Sequence, residues 1–223
     1  MSNTRTSTTK IFDKISELRN NRHGTPHPRK DAINRNRVEN INNPIFHVKP
    51  DSEEVILRRN TIIRQIASVI NKILMLNAKR EAPVNRFLSS APCNIPIDEY
   101  MLRFASNGNF SEEVFIAMAI YLDRYVAETQ LILHELNIHR LIITSILLVN
   151  KIHDDVSGNN EFFARIGGIS AKELKVLEMD FLADINWNLQ IPRDIYVQYN
   201  LEFQIMRERD FPTTSVSSRL TPG

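Results

Sequence analysis

Asn137-Ile138-His139-Arg140-Leu141-Ile142-Ile143-Thr144-Ser145-Ile146-Leu147-Leu148-Val149-Asn150-Lys151 is the stretch that decides the fold. Between Leu141 and Val149, apolar side chains cover nearly the whole circumference of a helix. A helix with no polar face belongs at the centre of a bundle, surrounded by others. Asn137 stands where a cap is needed, and the helix is expected to run to about Lys151. The run is far short of the roughly 20 apolar residues that span a bilayer, and Thr144 and Ser145 interrupt it.

The flanking sequence supplies the surrounding helices. Upstream, Pro96 to Phe104 reads as one, with Asp98 and Glu99 near its start. A second follows Ser111, a good cap, with Glu112 and Glu113 in the first turn, where the helix dipole favours acidic groups. It continues through Val114, Phe115, Met118, Leu122 and Tyr125. Downstream, Glu161 to Arg165 forms a short helical turn ended by Gly167-Gly168. Ser170 and Glu173 then have capping-box spacing, with Ile169 and Leu174 as a hydrophobic staple. Leu174, Leu177, Phe181 and Ile185 form the inner face of the helix so begun. The chain is therefore expected to be all-α: five helices, the short one included, around a central apolar helix.

Two further helices flank this unit. One begins at Asp51-Ser52, either of which can cap it, and carries Ile62, Ile66, Val69, Ile70, Ile73 and Leu76 on one face. Pro83, Pro92 and Pro96 interrupt the next stretch, with Phe87 and Leu88 available to anchor it. The other begins at Pro192, with Tyr196, Tyr199, Phe203 and Met206 at helical spacing. Its alternation of apolar residues also suits a strand, but the helical surroundings favour helix. The expected organisation is a basic, disordered tail at 1–50, an N-terminal helix at 51–81 and a connector at 82–96. The five-helix unit spans 97–190, a C-terminal helix 191–209 and a tail 210–223. Within the first tail, Ile11, Phe12, Ile15 and Leu18 have the spacing of one short amphipathic helix, transient on its own at this length. Thr25-Pro26 is a minimal proline-directed phosphorylation site.

Composition bounds the function. The one cysteine, Cys93, permits no internal disulfide and fits a reducing compartment. The polar N-terminus lacks a signal peptide's apolar core. A soluble protein of the cytoplasm or nucleus is expected, with no membrane partner. The formal net charge of +2 is unevenly spread. Residues 1–50 hold ten Lys/Arg against four Asp/Glu, or +6, which leaves −4 for residues 51–223. Attraction to polyanions is thereby confined to the tail, and no specific nucleic-acid binding is expected.

No motif supports an enzyme. His134-Glu135-Leu136-Asn137-Ile138-His139 resembles a zinc-protease helix at a glance, but its histidines are five apart rather than four. His153, Asp154 and Asp155 are adjacent and would point in different directions from a helix end. Gly167-Gly168 is too short to cradle phosphate and lacks the following Lys-Ser/Thr. Cys93 has no histidine beside it. No cofactor, metal or small-molecule substrate is expected. Two charges stand out instead. Lys151 closes the central apolar helix, and Glu178 lies beside Leu177 and three residues before Phe181. Charges near apolar faces are costly unless they are paired or used by a partner. On the residues alone, Lys151 reaches water and Glu178 forms an ordinary surface pair.

These motifs together resemble the cyclins. Tyr121-Leu122-Asp123-Arg124-Tyr125 is similar to the second-helix signature of a cyclin box, and residues 137–151 to its central helix. Asn159-Asn160, Ala164-Arg165-Ile166-Gly167-Gly168-Ile169-Ser170, Glu173-Leu174 and Leu177-Glu178 resemble the P-type and U-type, phosphate-pathway-like cyclins. The likeness runs from about residue 60 to 206. It implies a regulatory subunit that binds a cyclin-dependent protein kinase and holds its regulatory helix inward, in cell-cycle or nutrient signalling. In that family a lysine closing the central helix and a glutamate of the fifth helix hydrogen-bond the kinase. Lys151 and Glu178 occupy those positions, so the resemblance assigns their pairing to the partner. Asp155 falls where an acidic residue can meet the activation segment. Asp123 and Arg124 match residues that brace the box internally. Only 33 residues follow Gln190, against roughly 100 for a second box, so a single box is expected. The alternative is a helical adaptor that keeps the fold without activating a kinase.

Overall fold

The computed structural model describes residues 11, 13, 14, 52–108, 110–153 and 159–210. Among them are seven helices of eight residues or more and no strands: α1 (Glu53–Asn77), α2 (Ile97–Gly108), α3 (Glu112–Thr129), α4 (Ile138–His153), α5 (Asn160–Gly167), α6 (Ala171–Asp184) and α7 (Arg193–Asp210).

The central position of α4 follows from its sequence. Every residue from Leu141 to Asn150 is buried, Thr144 and Ser145 included. Thr144 satisfies its hydroxyl on the Arg140 carbonyl one turn back, at 2.7 Å, which lets a polar residue sit in an apolar centre. The other four helices of the box, α2, α3, α5 and α6, all pack on α4. Helix α1 lies outside them against α2 and α3, and α7 closes the remaining side against α1 and α3.

The helix ends are fixed by local chemistry. Ser52 caps α1 by accepting the Val55 N–H, and Ser170 caps α6 by accepting the Glu173 N–H at 3.0 Å. The other half of that capping box is used elsewhere: the Glu173 carboxylate pairs with Arg140 at 2.6 Å, tying α6 to α4. Ser111 takes the cap position of α3 with extended backbone, but its hydroxyl makes no cap hydrogen bond and is buried without a hydrogen-bond partner among the described residues. Asn137 also differs from expectation. Its amide turns back to bridge the His134 N–H and the Ile132 carbonyl, so it organises the loop before α4 rather than the first turn.

Gly167-Gly168 has two distinct roles. Gly168 ends α5 in the left-handed region at φ 74°, where both its own N–H and that of Ile169 reach the Ala164 carbonyl. Gly167 is the point of close approach: a Cβ there would collide with the Ile143 Cδ1 of α4 and lie 2.9 Å from the Tyr100 hydroxyl. That hydroxyl donates to the Gly167 carbonyl, locking α2 to α5. Helix α6 ends without glycine, and there two N–H groups reach two different carbonyls. Trp187 N–H reaches Leu182 O and Asn186 N–H reaches Ala183 O, with Asn186 at φ 53° and Trp187 at φ 57°.

Phe87 anchors the connector as expected. It is 1% exposed and lies edge-on to Tyr125 and Phe181, which stack on each other at 4.6 Å. Leu76, expected on the inner face of α1, is instead exposed, and Arg59 is buried with its guanidinium on the Phe110 carbonyl. The α1 stripe thus keeps Ile62, Ile66, Val69, Ile70 and Ile73 but extends one turn earlier to a basic residue that satisfies a backbone acceptor just before α3. The segment after Pro192 is helical, with Tyr199, Phe203 and Met206 buried. Phe12, Ile15, Leu18, Thr25 and the tail from residue 211 lie outside the described residues.

Candidate interaction site

Lys151 stands one turn from the end of α4 and Glu178 at mid-length of α6. The packing of α6 on α4 brings them together. The Lys151 ammonium lies 2.7 Å from Glu178 Oε1 and 2.9 Å from Oε2, a two-pronged ion pair. The carboxylate side chain is 12% exposed and the lysine 29%, so the pair sits at the surface with its stems packed inside. Residues with the separation of 27 positions in sequence thus satisfy each other within the chain. Asn160, the first residue of α5, completes the group: its Oδ1 accepts from Lys151 at 2.7 Å and its Nδ2 donates to Glu178 Oε2 at 3.1 Å. Sequence patterning placed the two charges near apolar faces; the third member carries no charge and no periodic signal, and only the Asn159-Asn160 pair of the family resemblance included it.

Apolar residues flank this polar group. Ile152, next to Lys151, and Met179, next to Glu178, are about half exposed, and Val176 is partly so. Trp187, the one tryptophan of the chain, is 60% exposed on the left-handed turn after α6. A bulky residue at positive φ is uncommon, and here the turn displays it outward. Asp155 lies outside the described residues.

Asp123 and Arg124 lie elsewhere, on α3. Asp123 is 4% exposed. Its Oδ1 accepts the Ile11 backbone N–H at 2.6 Å and its Oδ2 accepts the Tyr199 hydroxyl at 2.5 Å. One buried carboxylate therefore joins the N-terminal segment, where Ile11 is fully buried, to α3 and α7. Burial, with the Asp123 charge beside it, pushes the Tyr199 phenol well above its ordinary range. Arg124 donates to the Asn188 carbonyl and, at 2.8 Å, to the Gln190 carbonyl. Tyr121 donates to Leu189 O between them, and burial pushes its phenol up to about 12. Three consecutive carbonyls after α6 are thus held by α3, which fixes the path from Trp187 into α7.

The two histidines of the zinc-protease-like pattern make separate local contacts. His134 accepts the Leu136 N–H within its own loop, and the His139 ring meets the Ile95 carbonyl at 2.8 Å. Among the described residues no three His, Cys, Asp or Glu side chains gather as a metal site. No described helix is long and apolar enough to cross a membrane.

Comparison with known proteins agrees with this architecture. The family model described as Cyclin matches residues 25–189. The chain is 36% identical to Cyclin-U4-3 of Arabidopsis thaliana over 55% of its own length and 57% of the relative's. It is 31% identical to Cyclin-U4-2 of the same plant, covering 70% of this chain and 71% of that one. Against Cyclin-P4-1 of Oryza sativa subsp. japonica it is 37% identical over 53% of this chain and 56% of the relative. The match thus spans between about half and three quarters of these relatives. A buried central helix ringed by four others, the ordered motifs along them and a family match over most of its length place this chain in the cyclin family, among its P- and U-type members.

Proposed function

We propose that this chain binds and activates a cyclin-dependent serine/threonine protein kinase. The box at 97–190 would present the docking face, with the helices at 51–81 and 191–209 supporting it from outside. The observation that carries the proposal is the Lys151–Glu178 pair, held at the surface where α4 and α6 meet and flanked by exposed Ile152 and Met179. Apolar side chains around a fixed polar centre are what a specific protein interface requires, the first for area and the second for register. On docking, Lys151 would turn one of its three donors from Glu178 or Asn160 to a backbone carbonyl of the partner, and Glu178 would accept from backbone N–H groups. Docking there would press the kinase's regulatory helix inward. That completes the Lys–Glu pair and metal site on which phosphoryl transfer depends. The chain itself supplies no reacting group; it acts by positioning. Asp155 would meet the kinase activation segment as an anion. Asp123 and Arg124 would keep the box and its flanking segments in one arrangement. The cell-cycle and nutrient pathways are both compatible with this chemistry.

The test is capture of the full chain from its native cell, followed by identification of co-purifying kinases and assay of their activity with and without added chain. Recovery of a cyclin-dependent kinase whose activity rises on addition supports the proposal. Recovery of other partners, with no such kinase, would favour an adaptor.

A further inference from the structure

Resting on the docking reading above, we propose that Asn160 is the positioning residue of the Lys151–Glu178 pair, and that it presets both charges for the kinase. An ammonium has three protons to give. In this structure it meets three acceptor atoms: Glu178 Oε1 at 2.7 Å, Oε2 at 2.9 Å and Asn160 Oδ1 at 2.7 Å. The same amide returns a hydrogen bond to Glu178 Oε2 at 3.1 Å. The result is a closed ring of three side chains from three helices, in which the amide alone touches both charges through different atoms. Its orientation is determined: only with oxygen toward the ammonium and nitrogen toward the carboxylate are both contacts favourable.

Asn160 is itself held. It is the first residue of α5, and Asn159 before it caps that helix by accepting the Phe162 N–H at 2.9 Å. The cap fixes the start of α5, the start of α5 fixes the amide, and the amide fixes the two charges. A lysine on a flexible four-carbon stem, 29% exposed, would be held less firmly by Glu178 alone. Ordering it before the partner arrives lowers the ordering cost of the docking step. The sequence pattern Asn159-Asn160 therefore divides into a capping residue and a positioning residue, two adjacent identical side chains with different work.

The experiment uses the full-length chain with Asn160→Ala, read in two ways. In the free protein, the Lys151 ammonium gives a nitrogen–proton correlation by NMR, because its protons exchange slowly while hydrogen-bonded. That signal should be present in the wild type and broadened away in the variant. Affinity for the cyclin-dependent kinase recovered with the wild-type chain should fall about tenfold, as for loss of a hydrogen bond to a charged group. In a Lys151→Ala background, the same Asn160→Ala change should cost less than about threefold, since no ammonium remains to be held. An unchanged Lys151 signal, or an equal loss of affinity in both backgrounds, would overturn the positioning role. The second outcome would leave Asn160 a merely structural part of α5. If the wild-type chain binds no kinase at all, the docking reading fails, while the ammonium signal still decides the role of Asn160 within the chain.

Discussion

Replacing Tyr199 by Phe tests the buried junction at Asp123 with the removal of one atom. The ring of Tyr199 stays in the core, so no apolar area is lost, but the 2.5 Å bond from its hydroxyl to Asp123 Oδ2 disappears. A hydrogen bond to a charged group contributes about 1.5–3 kcal/mol, and the acceptor left behind is a carboxylate 4% exposed. Asp123 keeps the Ile11 N–H, so the loss should stay near about 2 kcal/mol rather than the larger cost of an isolated buried charge. For a chain of this size that corresponds to a midpoint lower by about 4–8 °C. Thermal and urea unfolding followed by circular dichroism measure it. Tyr196→Phe is the control. Tyr196 lies one turn earlier on the same helix and is also packed against the core, yet among the described residues no hydrogen bond is made by its hydroxyl. That variant should stay within about 0.5 kcal/mol of wild type. Equal stability of the two variants would refute the assignment of Asp123 as the bond that joins α3 to α7.

Other perturbations have defined outcomes. Gly167→Ala should destabilise the fold by about 1–3 kcal/mol in the same unfolding assays, because the added methyl meets Ile143 in the filled centre of the box; Gly168→Ala instead meets no atom and suffers only from its positive φ. Stability should decline as pH falls below about 6.5. Burial lowers the His139 pKa, so in that range the unfolded chain binds a proton that the folded chain resists. The decline should level off once the folded ring is protonated too. His139→Gln should flatten this part of the pH profile, and an unaltered profile would remove His139 as its source.

Most of the helical frame is legible in the sequence, for a physical reason. A helix buried on all sides, such as α4, has only one pattern to show. Caps at Ser52 and Ser170 act through neighbours three residues away, which a linear reading can see. What it misses is long-range polar satisfaction. Arg59 looks like one more exposed cation of α1 until its reach to the Phe110 carbonyl is known, and that contact lies 51 residues away. Asn137 has the composition of a cap, but the loop folding over it offers its amide two other partners. Ile11 lies in a polar, basic segment, and nothing local signals that its N–H meets a carboxylate 112 residues on. The candidate site divides in the same way. Lys151 and Glu178 were conspicuous as charges beside apolar faces, whereas their pairing with each other and the bridging role of Asn160 depend on how three helices converge.

The central claim is that the surface around Lys151 and Glu178 docks and activates a cyclin-dependent kinase. The most direct measurement is the activity of that kinase with Lys151→Ala/Glu178→Ala chain, after unfolding curves have established that the variant is folded. Both charges leave together, so no buried charge is stranded and stability should remain close to wild type. The account predicts that the folded double variant neither retains nor activates the kinase. Full activation by that variant would contradict it.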